Sequence, residues 1–323
     1  MHDTATFHDG ERAMQARAGA LERLTAIGPR VVRDHMPDQH RELFEKLPTL
    51  VVGSLDAAGQ PWASLLAGPP GFVRTPDARH LRVNARPDAD DPLAPALALG
   101  APLGLLGLEP HTRRRNRMNG RVVDDGAEGF TVRVDQSFGN CPQYIQAREP
   151  EWVPHAPLPA QRHGARLIEP ARALLARADT VFIASAAPRA GSGSGGEEPS
   201  QGVDVSHRGG LPGFVRVHDD EGPQGASVLT LPDYRGNFFF NTLGNLLARP
   251  QAGLLCVDPG SGDVLQLAAE ASLVWDGPEL AATPGAERLL RLRVVSHLWR
   301  PGALPLRWTA PQFAPQFLHP ARG

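Results

Sequence analysis

The stretch GPPGFVR, Gly68–Arg74, is nearly said again as GLPGFVR, Gly210–Arg216. Working outward, the neighbouring pieces repeat in the same order. TLVVGS (Thr49–Ser54) precedes the first copy and TVFIAS (Thr180–Ser185) the second. HLRVN, DPLAPAL and PLGLLGLEP follow the first, ending at Pro110; FFFN, GNLLARP and AGLLCVDP follow the second, ending at Pro259. Each piece is an ordinary apolar strand or short helix. Their shared order argues for one unit present twice. The period is too long for a solenoid and fits two domains of about 130–150 residues.

The proline-rich, aperiodic run REPEWVPHAPLPAQRHG, Arg148–Gly164, is the expected linker. It divides a first domain, 1–147, which carries a helical N-terminal segment, from a second, 165–323. PRAGSGSGGEEPSQG, Pro188–Gly202, has no apolar periodicity and reads as a mobile surface loop. Helical periodicity marks Glu11–Gly28, ending at Gly28, then DQHRELFEKL after Pro37, and Glu169–Ala178. Hairpin signals mark LVVGSLD–AAG–QPWASLL and the GRVVDDGAEGFT–VRVD pair with its Asp-Gly turn. PLAPALALGAPLGLLG, Pro92–Gly107, imitates a membrane span, but its prolines and glycines predict a short helix, a turn and a buried strand. The expected class is mainly β: each unit is a small antiparallel barrel with one helix inserted between strands.

Composition excludes several chemistries. A formal net charge of -2 over 323 residues argues against a nucleic-acid or anionic-membrane partner. Two cysteines make neither a disulfide framework nor a zinc cluster, and with no secretory pattern at MHDTATFHDGER the expected location is cytoplasmic. Lys46 is the only lysine, and its helical, glycine-poor setting suits neither a pyridoxal-phosphate Schiff base nor a P-loop. His35 and His40 are five apart, not the four of a helical zinc motif, so no metal is expected.

Aligning the two echoes sets Leu65, Leu66 and Ala67 opposite His207, Arg208 and Gly209. The second copy thus gains donors and a glycine that admits close approach, although His207–Arg208 also reads as a solvated hairpin end. Asn241, Thr242, Gly244 and Asn245 form an acid-free turn into a helix, a natural phosphate site. The first copy has Asp88, Asp90 and Asp91 at its turn, which would repel a phosphate. Tyr234 and Arg235 precede the second turn and read equally as an ordinary Asp-Tyr-Arg-Gly turn. In HTRRRNRMNG a strand places Arg113, Arg115, Arg117 and Asn119 on one face. Asn140, Gln143 and Tyr144 follow a Ser-Phe-Gly turn and can close the same groove, with Cys141 among them lacking an identifiable base.

Four stretches, SFGNCPQYIQ (Ser137–Gln146), RRRNRMNGRV (Arg113–Val122), DVSHRGGLPGFV (Asp204–Val215) and LPDYRGNFFFNTLGNL (Leu231–Leu246), resemble the pyridoxamine 5'-phosphate oxidase-related, FMN-binding split-barrel proteins, most closely their double-barrel branch. The resemblance runs from FHDGE near the start to PGALPLRW, Pro301–Trp308. It implies a six-stranded split barrel in each half and FMN in a groove between two barrels, usually across a dimer. The cofactor residues it implies are His207, Arg208, Gly209, Tyr234, Arg235, Asn241, Thr242 and Asn245 of the second copy, with Arg115, Arg117, Asn119, Gln143 and Tyr144 of the first. The activity implied is that of an FMN-dependent oxidoreductase with a small-molecule substrate or electron donor, and no catalytic acid or base is named. No reductase module follows PGALPLRW, so a separate reductase is an expected partner, as is a second copy of the chain. The oxidase's basic phosphate run and its lysine are missing, so pyridoxamine-phosphate oxidation itself is not expected. Two rivals stand beside this reading: a haem-binding or haem-degrading split barrel with His207 as axial ligand, and a non-enzymatic flavin carrier or sensor. One flavin site per chain is expected, in the second copy.

Overall fold

The computed structural model describes residues 6–188, 198–221 and 225–318. Most of the loop expected at Pro188–Gly202 therefore lies outside the described residues. Three helices open the chain: α1 (Asp9–Arg17), α2 (Leu21–Val31) and α3 (Asp38–Lys46). The single helix expected over Glu11–Gly28 is broken at Gly19, whose φ of +65° is left-handed, and its second piece runs on to Val31. Pro29 sits in that last turn, where its missing N–H leaves the Thr25 carbonyl without a helical donor, and the helix ends two residues on.

Next come β1 (Thr49–Leu55), β2 (Pro61–Ala67), β3 (Val73–Asp77), β4 (His80–Val83), α4 (Leu93–Ala96), β5 (Pro102–Glu109), β6 (Arg114–Gly126) and β7 (Gly129–Gly139). Two short strands, β8 (Pro150–Trp152) and β9 (Gln161–His163), lie within the expected linker. The second half holds α5 (Glu169–Arg177), β10 (Thr180–Ala186), β11 (Val203–Gly209), β12 (Arg216–Asp219), β13 (Ser227–Tyr234), α6 (Asn241–Ala248), β14 (Gln251–Val257) and β15 (Val264–Val274). It ends with α7 (Pro278–Ala281), β16 (Ala286–Arg300), β17 (Leu306–Trp308) and α8 (Pro315–Leu318).

The first sheet runs β2-β1-β5-β6-β7-β4-β3 and the second β11-β10-β14-β15-β16-β13-β12. Replacing β1–β7 by β10–β16 in turn converts one order into the other. The unit is present twice, with antiparallel pairing throughout. Each sheet has seven such strands rather than the six that the resemblance implies, β9 adds to β16, and neither path closes on itself. The register repeats as well: Val52 stands opposite Leu105 and Ser64, and Ile183 opposite Leu254 and Ser206. Leu65, Leu66 and Ala67 therefore occupy the places of His207, Arg208 and Gly209.

The echo that opens the sequence is also an echo in conformation. Gly71 has φ +90° and Gly213 +88°. A Cβ on Gly68 would lie 2.4 Å from Phe72 Cγ, and one on Gly210 2.3 Å from Phe214 Cγ. Each turn folds its phenylalanine back against the first glycine and into the core of its own half.

One expected match does not hold. The counterpart of HLRV in β4 is β13, not FFFN, since Arg74 pairs with Arg82 as Arg216 pairs with Thr230. Within FFFN the three phenylalanines form a loop, with Phe238 and Phe240 at φ of +64° and +60°, and Asn241 opens α6. Three aromatics in a row favour a strand locally, but these are used to turn the chain into α6.

A third apolar cluster joins the sheets through Val51, Ala63, Leu106, Phe182, Val205 and Leu255. Burying each large side chain there contributes about 1.5–3 kcal/mol. Two equivalent glycines permit the approach. A Cβ on Gly104 would be 2.9 Å from Asp204 Cα, and one on Gly253 2.7 Å from Trp62 Cα. The halves thus pack about a pseudo-twofold axis. No helix among the described residues is long and apolar enough to cross a membrane.

A candidate anion-binding cleft between the sheets

Alternate residues of a strand share a face, so β6 presents Arg115, Arg117 and Asn119 together to the second half. Arg113 leaves this row: it lies before β6 at φ +55° and donates to the carbonyls of Ile145 and Gln312. β11 brings Ser206, His207 and Arg208, and α6 brings Asn241 and Thr242. Between them lies a cleft of about 110 Å³, open to solvent. Of the thirteen residues expected to hold a cofactor, ten line it: Arg115, Arg117, Gln143, Tyr144, His207, Arg208, Gly209, Tyr234, Asn241 and Thr242.

The other three lie elsewhere. Asn119 is deeper, with Nδ2 3.5 Å from Asp204 Oδ1. Asn245 donates to Ser185 Oγ at 3.0 Å and faces His8 Nε2 at 2.7 Å, behind α6. Arg235 sits over the Phe238 ring, 5.2 Å from its centroid, while its carbonyl accepts from the Tyr144 hydroxyl.

The three arginines of the cleft differ in their partners. Arg117 pairs with Asp204 at 2.8 Å and donates to Asn241 Oδ1 at 3.0 Å. Arg208 pairs with Asp233. Arg115 has no carboxylate partner among the described residues; its Nη1 lies 3.0 Å from His207 Nδ1. Burial first, then the Arg117 and Arg208 charges, pull its pKa down to about 9. Burial, with the Arg115 and Arg208 charges added, holds His207 well below the usual imidazole range. Arginine only donates, so the neutral His207 ring accepts at Nδ1 and carries its proton on Nε2.

Several donors here lack acceptors: Nε of Arg115, Arg117 and Arg208, Nδ2 of Asn140 and Nε2 of His207. A buried donor left unmade costs about 1–3 kcal/mol. Such a cluster is made for an acceptor-rich, anionic ligand.

One wall of the cleft is aromatic. Tyr144 stacks on Tyr234 with ring centroids 5.2 Å apart, and Phe317 of α8 packs on both at 5.7 and 5.8 Å. Tyr144, Phe238 and Phe240 all have positive φ. Left-handed bulky residues are strained, by about 1–3 kcal/mol each, and strain of this kind collects at functional sites. Cys141 is also in the lining.

Glu11 is the residue that sequence reasoning missed. The turn at Asn241 carries no acid of its own, but α1 brings one to it, and Asp204 stands nearby beside Arg117. Paired glycines make this possible: a Cβ on Gly10 would lie 2.2 Å from Gly244 O, and one on Gly244 2.5 Å from Glu11 N. Glu11 accepts from Asn241 Nδ2 and, at 2.8 Å, from the His8 amide, closing a capping box. Burial pushes its pKa up to about 8, against the hydrogen bonds from His8 and Asn241. It is therefore largely protonated at neutral pH and does not repel an anion as an ionised acid would.

This has a consequence for stability. The folded-state pKa lies above the ordinary 4.5, so folding retains a proton that the unfolded chain releases. The contribution is complete below about pH 4.5 and is lost as pH rises toward 8, by at most about 1.4 kcal/mol per unit. In Glu11→Gln the urea midpoint should decline less between pH 5 and 8 than in wild type. Equal pH slopes would show that Glu11 does not titrate in this window.

The corresponding position of the first half is closed by the protein itself. Ser206 Oγ meets Thr242 Oγ1 at 2.7 Å, whereas its equivalent, Ser64, donates to Asp91 Oδ1 at 2.5 Å. Gln266 takes the place of Arg117, as Leu255 pairs with Gln266 where Leu106 pairs with Arg117. Arg300, reaching across from β16, donates to Asp91 Oδ2 at 2.7 Å and also binds Asp88. The aspartates do more than repel an anion: Asp91, only 2% exposed, is the anion.

No family model matches the chain, and no curated protein matches it. Solved structures give partial likenesses. A provisionally assigned pyridoxamine 5'-phosphate oxidase from Lactobacillus delbrueckii is 15% identical over 42% of this chain and 98% of its own, with a TM-score of 0.30. HutZ, a heme storage protein of Vibrio cholerae, is 14% identical over 42% and 96%, at 0.27. An FAD-binding protein of Mesorhizobium loti is 10% identical over 45% and 99%, at 0.26. These are weak likenesses, each confined to less than half of this chain.

Proposed function

We propose that the chain is an FMN-binding flavoprotein built of two tandem split barrels, residues 1–147 and 165–323, and that it acts as an FMN-dependent oxidoreductase. The observation that carries the reading is Arg115, a cation in the cleft with no carboxylate partner among the described residues, surrounded by donors without acceptors. Asn241, Thr242 and Arg117 would hold the phosphate at the start of α6, where backbone N–H groups and the helix dipole favour an anion. Arg115, Tyr144 and Tyr234 would border the ring system. Bound FMN supplies hydride or electron transfer. The protein's part is to orient it, to shield it with the Tyr144–Tyr234–Phe317 wall, and to fix His207 as a neutral donor through Arg115. A small-molecule substrate, a separate reductase, a second copy of the chain and a cytoplasmic location belong to the same reading.

Haem binding is the second reading, and the unpartnered His207 Nε2 is what favours it. The Arg115 contact counts against it. An imidazole ligating through Nε2 would carry its proton on Nδ1, facing another donor. The absorbance spectrum of the purified protein, reconstituted with each group in turn, separates the two. Flavin bands with FMN released on denaturation are expected, and a Soret band with no flavin uptake would overturn the proposal. Steady-state reduction by NADPH or a deazaflavin donor then distinguishes an oxidoreductase from a carrier or sensor.

A further inference from the structure

A second cavity, of about 200 Å³, lies on the pseudo-twofold axis between the sheets. Half of its lining comes in equivalent pairs, one member from each half of the chain: Thr49 with Thr180, Val51 with Phe182, Leu108 with Val257, Pro110 with Pro259. In these pairs the halves supply residues of like character. The remaining pair is Leu65 and His207, where an apolar side chain answers a polar one. Divergence has thus set a polar end at His207 where the paired position is apolar.

That end is unsatisfied. His207 is 6% exposed and its Nε2 has no partner, while Arg115 occupies Nδ1 and so leaves the proton on Nε2. The charged and amide groups of the lining are spent. Arg148 pairs with Asp179 and Arg177 with Asp258. Gln146 donates to the Gly210 carbonyl and accepts from the Ala314 amide. No charge is left over for an ionised ligand. What the chamber lacks is apolar volume and one hydrogen-bond acceptor. A site with one placed donor in an apolar wall discriminates strongly for a ligand that can pair with it.

We propose that this chamber binds a neutral apolar carbonyl compound. Its body lies among Val51, Leu65, Leu106 and Phe182, and its oxygen accepts from His207 Nε2–H. The site needs no FMN, but His207 lines both cavities and has one Nε2–H, so a cleft ligand that accepts from it and the carbonyl compound exclude each other, and Arg115 in the cleft sets its tautomer.

The fluorescent aryl ketone prodan tests it, added to the full chain with and without FMN. A saturable blue shift in emission at one equivalent is expected. Leu65→Trp and Val257→Phe, which fill the chamber from opposite halves, should each weaken binding about ten-fold or more, as loss of one buried side chain's worth of apolar contact implies. Both positions are only partly buried, and Val257→Phe, the smaller change, serves if Leu65→Trp does not fold. 6-Propyl-N,N-dimethyl-2-naphthylamine, in which a methylene replaces the carbonyl, should bind more weakly than prodan by about ten-fold, and His207→Phe should erase that difference. Absence of a saturable shift in wild type, undiminished binding by folded Val257→Phe, or a ketone preference that survives His207→Phe would each overturn the proposal.

Discussion

Arg117→Met should lower folding stability by about 3–5 kcal/mol, and Arg115→Met by far less. The two residues are neighbours on one face of β6, but Arg117 is buried against a carboxylate, whereas Arg115 is half-buried and has none among the described residues. The Arg117 and Asp204 side chains are 8% and 4% exposed; Asp204 Oδ1 takes the Arg117 guanidinium, and Oδ2 has no hydrogen-bond partner among the described residues. Removing the guanidinium leaves an uncompensated buried carboxylate. Arg115 holds no carboxylate, so its loss leaves no such charge and relieves the crowding of three arginines that already depresses its pKa. The cost of Arg115→Met falls on the ligand. A charge-assisted contact contributes about 1.5–3 kcal/mol, so FMN affinity should drop by about ten- to a hundred-fold. Urea melts without FMN and FMN titrations of both variants measure this. Equal destabilisation by the two substitutions would show that Arg115 is held by the fold rather than kept for a ligand.

The first half yields the second large effect. Arg300→Met should also cost about 3–5 kcal/mol, because Asp91 would stay buried with only Ser64, Gln266 and the Leu93 amide as donors. Arg300→Met combined with Asp91→Asn should recover more than half of that loss, since the neutral amide no longer needs the cation. Purely additive losses in the double-mutant cycle would mean that the pair is not coupled and that the first site is not closed by its own carboxylate.

What the sequence revealed and what it hid follow one physical division. The repeated turns at Gly68–Arg74 and Gly210–Arg216 were legible because short-range sterics dictate them: a left-handed glycine and a phenylalanine folded back on the glycine that opens the turn. The arginine row of β6 was legible because strand alternation needs no knowledge of the partner. The contrast of Leu65 with His207 held because one register governs both halves. Glu11 was not legible, since its contact with Asn241 spans 230 residues and depends on two glycines meeting. Arg300 was missed for the same reason, 209 residues from Asp91. FFFN was misread as a strand because aromatic runs favour strands locally, whereas here tertiary packing holds Phe238 and Phe240 in left-handed backbone.

The central claim is that duplication left one anion site, in the second half, and closed the other. Titration of the apo-chain with FMN, followed by flavin fluorescence, tests it most directly. One equivalent per chain is expected, lost in affinity by Arg115→Met and unchanged in number by Asp91→Asn. Two equivalents bound by the wild-type chain, or none, would contradict it.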